Sequence, residues 1–156
     1  MNNKRIVFPF FLVLFYQAVF AQQTILSDSN LPIMVITTDI DPNTNAPVEI
    51  PDEPKILATM QLIFRSDGTR NYLTDITNDS YLNYNGRIGI ELRGSSSQLL
   101  DKKPYGFSTL LEDDDSNNNV SLLGMPSEND WVLNSLAYDP SMIRDYLSYT
   151  LAASMG

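Results

Sequence analysis

The sequence contains no histidine and no cysteine among its 156 residues. Without histidine, these residues cannot form a histidine-based catalytic triad, a histidine zinc site or an imidazole acid–base pair. Without cysteine, they cannot form disulfides or thiolate metal sites. Any chemistry in these residues therefore uses carboxylates, Lys, Arg, Tyr or hydroxyl groups.

Basic residues are also scarce, since 10 Lys and Arg stand against 19 Asp and Glu, a formal net charge of −9. An acidic surface repels nucleic acid and anionic lipid, so we expect no nucleic-acid partner. A chain of this length has room for one domain with a buried core. Because cations are few, a place where they cluster is informative.

An apolar run over residues 6–20 follows the basic pair Lys4 and Arg5. It ends with Val19 and Ala21 at the minus-three and minus-one positions of a cleavage site, which is typical of a secretory signal peptide over residues 1–21. The run is shorter than the roughly twenty apolar residues of a membrane-spanning helix. We therefore expect export to the periplasm, the cell surface or the medium, and no integral membrane protein after cleavage. The mature chain would carry 8 basic and 19 acidic residues, a net charge of −11.

Alternation of apolar and polar side chains predicts most of the mature chain to be β-strand, after a flexible start over residues 22–30. Four prolines predict an irregular loop over residues 39–54. Asp67-Gly68 predicts a tight hairpin, and Asn85-Gly86 predicts another turn. The predicted strands are 33–37, 55–64, a short strand at 71–73, 87–93, 105–111 and 131–133.

The last segment predicts an α-helix, with Asp139 as its cap, Pro140 at its first position and apolar residues at helical spacing from Met142 to Met155. The predicted fold class is therefore α+β, a mainly antiparallel β-sheet with a C-terminal α-helix. Because one helix packed on a sheet leaves the other sheet face open, we expect an incomplete domain. Trp131 is expected in the core.

The tightest cluster of cations runs from Arg93 through Gly94, Ser95 and two further serines to Lys102 and Lys103. Glycine permits close backbone approach, and successive N–H groups can bind an anion. Arginine adds a bidentate fork and lysine a point charge. On the residues alone two interpretations stay open, an anion-binding loop and a polar hairpin loop with surface lysines, because no Walker or glycine-rich kinase pattern is present.

Two carboxylate patterns bear on this cluster. Glu91 lies two residues before Arg93 on the same strand face, where it is expected to orient the Arg93 guanidinium. The acidic run over residues 112–115 lacks the spaced ligands, central glycine and terminal glutamate of a calcium loop. The sequence therefore predicts no metal-ligating residue.

Three stretches closely resemble the opening part of the CotH kinase family, secreted proteins related to the spore coat protein H kinase. They are IGIELRGSSSQ, DKKPYGFST and NVSLLGMPSENDWVLNSLAYDPSMIRDYLSYTLAASMG. The upstream stretches LPIMVITT and DEPKILATMQLIF are similar to strands that precede them in bacterial members. The resemblance makes residues 31–156 the N-terminal β-rich part of a CotH kinase-like domain.

The resemblance implies an atypical protein kinase that transfers phosphate from ATP, with Mg or Mn, to Ser or Thr of a secreted or cell-envelope protein. The β-rich part would then correspond to a kinase N-lobe. Arg93, Gly94, Ser95, Lys102 and Lys103 would face the phosphates, with Lys102 as the kinase-type lysine. Arg144 would orient a carboxylate or phosphate, or it would be a surface charge of the helix.

In the family, the catalytic carboxylates lie downstream of this helix, so they are expected beyond Gly156, the last residue of the sequence. The resemblance therefore implies a kinase fragment, truncated at residue 156, that does not catalyse transfer alone. The alternative is a non-enzymatic secreted β-rich module that binds or adheres through exposed aromatic side chains.

Overall fold

The computed structural model describes residues 26–155. The predicted signal peptide lies outside the described residues, and so does Gly156, beyond which the catalytic carboxylates are expected. One α-helix, α1, spans Arg144–Ser154, and short 3-10 helices span Leu73–Thr77, Asp79–Tyr81 and Ser96–Leu99. The strands of residues 26–155 are β1 (Asp28–Ser29), β2 (Ile33–Thr38), β3 (Ile40–Asp41), β4 (Ala46–Pro47), β5 (Ile56–Ile63), β6 (Asn71–Tyr72), β7 (Leu82–Leu92), β8 (Tyr105–Thr109) and β9 (Asp130–Leu133).

Five strands form one antiparallel sheet in the order β2-β5-β7-β8-β9. Two short ribbons, β1-β6 and β3-β4, lie outside this sheet. The predicted fold class is confirmed, since the molecule is α+β with a mostly antiparallel sheet and a C-terminal helix.

The core lies on one face of the sheet, as the alternating pattern predicted. Ala58, Met60 and Ile88 have no exposed surface, and Phe107 of β8 packs with them. Residues of the connecting segments cover this face, namely Ile50, Val120 and Leu122. Trp131 packs against the same cluster, which confirms its predicted place.

Asp67-Gly68 turns the chain but does not form the predicted hairpin. Gly68 has φ +78, and the Asp67 carboxylate accepts the N–H of Thr69 at 2.9 Å. The returning strand β6 pairs with β1 and not with β5, because the Asn71 side chain binds Arg65 N and Leu31 O at 2.7 and 2.9 Å. Residues 28–29, which lie in the predicted flexible start, form β1 and pair with β6. That residues 22–30 are flexible stays a prediction.

The turn predicted at Asn85-Gly86 is wrong, because both residues lie inside β7 and pair with β5. Gly86 makes room for the Tyr84 ring, whose Cζ atom would lie 3.0 Å from a Cβ added at residue 86. The Tyr84 hydroxyl donates to Arg87 O at 2.9 Å. The chain reversal instead uses the 3-10 helices Leu73–Thr77 and Asp79–Tyr81.

The helix begins at Arg144, four residues after the predicted start at Pro140. Asp139 still contributes a cap, since its Oδ2 accepts the N–H of Arg144 at 3.0 Å. No residue of α1 is buried, so the helix does not pack on the sheet as predicted. Within residues 26–155, no helix is long and apolar enough to cross a membrane.

Candidate functional site

An open cleft of about 420 Å³ lies beside the end of β7. One wall is the loop that follows β7, with Arg93, Gly94 and Ser97. The other wall is the segment that joins β9 to α1, residues 134–139, together with Arg144 and Asp145 of the helix. The cleft therefore brings the predicted phosphate-facing residues Arg93 and Gly94 together with Arg144, which lies far from them in the sequence.

The loop wall depends on a glycine. Gly94 has φ +84, and a Cβ at this position would collide with the Ser97 hydroxyl. The Gln98 side-chain amide holds the loop by donating to Gly94 O at 2.6 Å and to Asp52 Oδ1 at 2.5 Å. The N–H groups of Gly94 and Ser95 donate to no other atom of residues 26–155, so they are available to an acceptor.

The opposite wall is built around the Asp139 carboxylate. Its Oδ1 accepts the Ser141 hydroxyl at 2.6 Å and Ser141 N at 3.0 Å, and its Oδ2 accepts Arg144 N at 3.0 Å. The Nε atom of Arg144 lies 3.4 Å from Oδ1. These donors, the Ser141 hydroxyl first, lower the pKa of Asp139 to about 2. Asp139 is therefore an ionised carboxylate at neutral pH.

The two guanidinium groups of the cleft have unequal partners. Arg93 has no carboxylate oxygen within 4.0 Å among residues 26–155, whereas Arg144 pairs with Asp139. The second cleft carboxylate, Asp145, accepts the Asn134 side-chain amide at 2.7 Å. Both carboxylates are thus occupied by protein donors, and the Arg93 charge is not neutralised by any described side chain.

The predicted orienting residue Glu91 lies beside Arg93 without an ion pair. A Cβ added at Gly106, on the neighbouring strand, would lie 3.8 Å from Glu91 Oε1 and 4.0 Å from Arg93 Nη1. The two side chains therefore flank the same glycine. That Glu91 orients the Arg93 guanidinium stays a prediction.

The remaining predicted residues lie outside the cleft lining. Lys103 Nζ donates to Gln98 O at 2.5 Å, so it fastens the loop. Lys102 and Ser95 are exposed. The kinase-type role of Lys102 stays a prediction, and it is not supported by a position in this cleft.

The catalytic carboxylates are expected after Gly156, and the structure describes residues 26–155. The carboxylates that the cleft does contain, Asp139 and Asp145, precede that point and were predicted neither as catalytic residues nor as metal ligands. The position of the catalytic carboxylates after Gly156 therefore stays a prediction.

Lys55, which was not predicted as a site residue, lies on the sheet face that carries Gly106 and Val132. Lys55 Nζ lies 2.5 Å from Ser108 Oγ and 3.3 Å from Asp130 Oδ1. The register places Ser108 and Asp130 opposite each other, two residues along their strands from Gly106 and Val132, so all four share one face. Because Ile56, Ala58 and Met60 face the core, the alternation of this strand would have placed Lys55 on the opposite, polar face.

Arg87 binds one carboxylate of the acidic run over residues 112–115. Its guanidinium binds Asp39 at 2.8 and 2.9 Å and Asp114 at 2.6 Å, and these partners raise the pKa of Arg87 further. Asp39 belongs to the proline-rich loop and Asp114 to the acidic run. Arg87 therefore ties two loops to β7, which is a structural role.

The cleft suits an anion better than a divalent cation. Two guanidinium groups and the free N–H group of Gly94 are donors, and the two carboxylates already accept hydrogen bonds. No group of three or more Asp and Glu among residues 26–155 is placed to hold a metal ion.

The fold and the cleft thus define an antiparallel β-sheet domain with an anion-compatible cleft beside the end of β7. The comparison with protein families is more specific. Residues 90–156 match the family model described as CotH kinase protein. This match confirms the resemblance to the CotH kinase family over the part that holds both walls of the cleft. The resemblance of residues 31–89 stays a prediction. Comparison with the curated proteins gave no match. Comparison with the solved structures gave none either.

Proposed function

We propose that the cleft binds the phosphate groups of ATP, as the nucleotide-binding part of a CotH-like protein kinase. The observation that carries the proposal is the convergence of Arg93 and Arg144 on one cleft, inside the part that matches the CotH kinase model. In a chain with 19 acidic and 10 basic residues, two guanidinium groups in one cleft favour an anionic ligand.

The proposed binding uses charge-assisted hydrogen bonds. Guanidinium groups recognise phosphate oxygens bidentately, and each such bond contributes about 1.5–3 kcal/mol. The free N–H group of Gly94 adds a neutral donor. A volume of about 420 Å³ falls within the ordinary range for small-molecule sites.

By resemblance, the full reaction uses ATP with Mg or Mn and a Ser or Thr acceptor on an exported protein. Transfer also needs carboxylates that orient the acceptor and hold the ion. Asp139 and Asp145 are already hydrogen-bonded to Ser141 and Asn134. The role we propose for Arg93, Gly94 and Arg144 is to bind and orient phosphates, and we expect no transfer by this chain alone.

Titration of the purified chain with ATP and magnesium tests the proposal. Arg93→Ala and Arg144→Ala should each weaken ATP binding about tenfold or more, because each removes at least one charge-assisted hydrogen bond. Arg70→Ala is the matched control, since Arg70 is an exposed arginine that pairs with Asp28 outside the cleft. This control should bind as tightly as the unchanged chain.

Two results contradict the proposal. One is a chain that binds no ATP at any practical concentration, and the other is ATP binding that neither cleft substitution weakens. A chain that instead binds polysaccharide through its exposed aromatic side chains would support the alternative of a non-enzymatic adhesion module.

We also propose that the protein is exported, on the strength of Lys4-Arg5, the apolar run over residues 6–20 and the small residue Ala21. Mass spectrometry of the protein recovered from its host should then find a mature chain that begins at Gln22. Recovery of the chain with residues 1–21 attached would contradict export through a cleaved signal peptide.

A further inference from the structure

The sequence DPSMIR, from Asp139 to Arg144, forms a turn that is more elaborate than a helix cap requires. Asp139 accepts three hydrogen bonds within this turn, from Ser141 N, the Ser141 hydroxyl and Arg144 N. A fourth contact joins Asp139 Oδ1 to Arg144 Nε at 3.4 Å. One carboxylate thus accepts a hydrogen bond from the backbone of Arg144 and forms an ion pair with its side chain.

The turn is strained on both sides of Asp139. Leu136 has φ +51 and Met142 has φ +55, a left-handed conformation that residues with a Cβ rarely adopt. Such residues persist only where surrounding contacts determine the backbone, and they concentrate at functional sites. An ordinary cap residue at the start of α1 would need neither of them.

Burial differs sharply across the Asp139–Arg144 pair. The Asp139 side chain is 11% exposed and the Arg144 side chain is 74% exposed. The Nη atoms of Arg144 make no hydrogen bond within residues 26–155. The carboxylate therefore anchors the inner end of the guanidinium, and the outer nitrogens stay available in the cleft.

We propose that Asp139 is a positioning residue that holds the Arg144 guanidinium in the cleft for phosphate, acting only through Arg144. This inference rests on the proposed phosphate site, because it assigns a supporting residue to that site. It also assigns Asp139 a role other than base or metal ligand.

The test combines Asp139→Asn with Arg144→Ala and uses inorganic pyrophosphate as the probe. Each single substitution should weaken pyrophosphate binding about tenfold. Because Asp139 acts through Arg144, the double variant should also lose about tenfold, and not about a hundredfold. A merely structural role would weaken binding further in the Arg144→Ala background. Asp115→Asn, the same change at an exposed aspartate, is the matched control and should have no effect.

A ligand-free readout separates this inference from the proposed function. The chemical shift of the Arg144 Nε–H group should differ between the unchanged chain and Asp139→Asn, because the substitution removes the charge that lies 3.4 Å from Nε. If the chain binds no pyrophosphate but the Nε–H signal depends on Asp139, the proposed function fails and the positioning contact stands. If the signal is unchanged, or the losses multiply in the double variant, the positioning role is wrong.

Should Asp139→Asn fail to fold, as judged by circular dichroism, Ser141→Ala provides the same comparison. It removes the hydroxyl donor to Oδ1 and leaves the carboxylate and its bond to Arg144 N. We expect a smaller change in the Nε–H chemical shift than in Asp139→Asn, and about threefold weaker pyrophosphate binding, an effect that disappears in the Arg144→Ala background. An unchanged Nε–H chemical shift in Ser141→Ala, with pyrophosphate binding unchanged, would contradict the inference.

Discussion

Single residues decide the shape of the cleft, and Gly94 is the clearest case. Its φ of +84 lies in the left-handed region, and the Ser97 hydroxyl occupies the place that a side chain at residue 94 would take. Gly68 offers a contrast, since its φ is +78 but nothing lies within 4 Å of an added Cβ. The two glycines thus share a backbone conformation and differ in crowding.

Gly94→Ala and Gly68→Ala should therefore separate strain from crowding. Each should lower the free energy of unfolding by about 1–2 kcal/mol through its positive φ. Only Gly94→Ala should also weaken ATP binding, because it displaces Ser97 and the loop wall. Urea unfolding and ATP titration of both variants make the comparison. Equal ATP affinity in the two variants would show that the loop does not shape the site.

Acid conditions bear on another single residue, Asp139. Its pKa in the folded state is about 2, below the ordinary 3.8, because Ser141 and Arg144 donate to the carboxylate. The unfolded chain therefore binds a proton at a higher pH than the folded chain does. The stability that Asp139 contributes is complete above pH 3.8 and is lost as the pH falls through about 2. Urea unfolding at several pH values should show a smaller loss of stability over this range in Asp139→Asn than in the unchanged chain.

At the scale of elements, alternation predicted the strands well because one sheet face is buried. β5, β7 and β8 place Met60, Ile88 and Phe107 in the core on a period of two residues. Arg93 and Gly94 could be predicted for the same reason, since they directly follow the end of such a strand. The family resemblance supplied the phosphate as the expected ligand.

Turns were predicted less well because local turn residues do not specify which strand pairs. Asp67-Gly68 reverses the chain, yet the Asn71 side chain directs the returning segment to β1. Asn85-Gly86 lies within β7 because the Tyr84 ring uses the space above Gly86. Both outcomes depend on contacts between side chains and strands that a local turn pattern does not contain.

The C-terminal helix shows the same limit. Its apolar spacing predicted packing on the sheet, but strained turns at Leu136 and Met142 precede it and no residue of α1 is buried. The cleft arises from this arrangement, since Arg144 lies at the start of the helix beside the loop wall. The helical period could predict neither the ion pair between Arg144 and Asp139 nor the position of Arg144 across the cleft from Arg93.

For the whole molecule, the acidic excess and the position of the cleft act together. A net charge of −9 disfavours general attraction of polyanions, so affinity for a phosphate ligand must come from local donors. Arg93, Arg144 and the free N–H group of Gly94 are such donors. Lys55, with Ser108 and Asp130, extends the polar face of the sheet beyond the cleft edge.

The most direct test of the account is an NMR titration of the isotope-labelled chain with ATP and magnesium, with adenosine as the control ligand. We expect ATP to shift the signals of Gly94, Ser97 and Arg144 most strongly, and we expect adenosine to leave them unchanged because it lacks phosphates. A contrary result would be no shift with ATP, or shifts confined to the apolar groove of Met34, Ile36 and Tyr105 on the opposite sheet face.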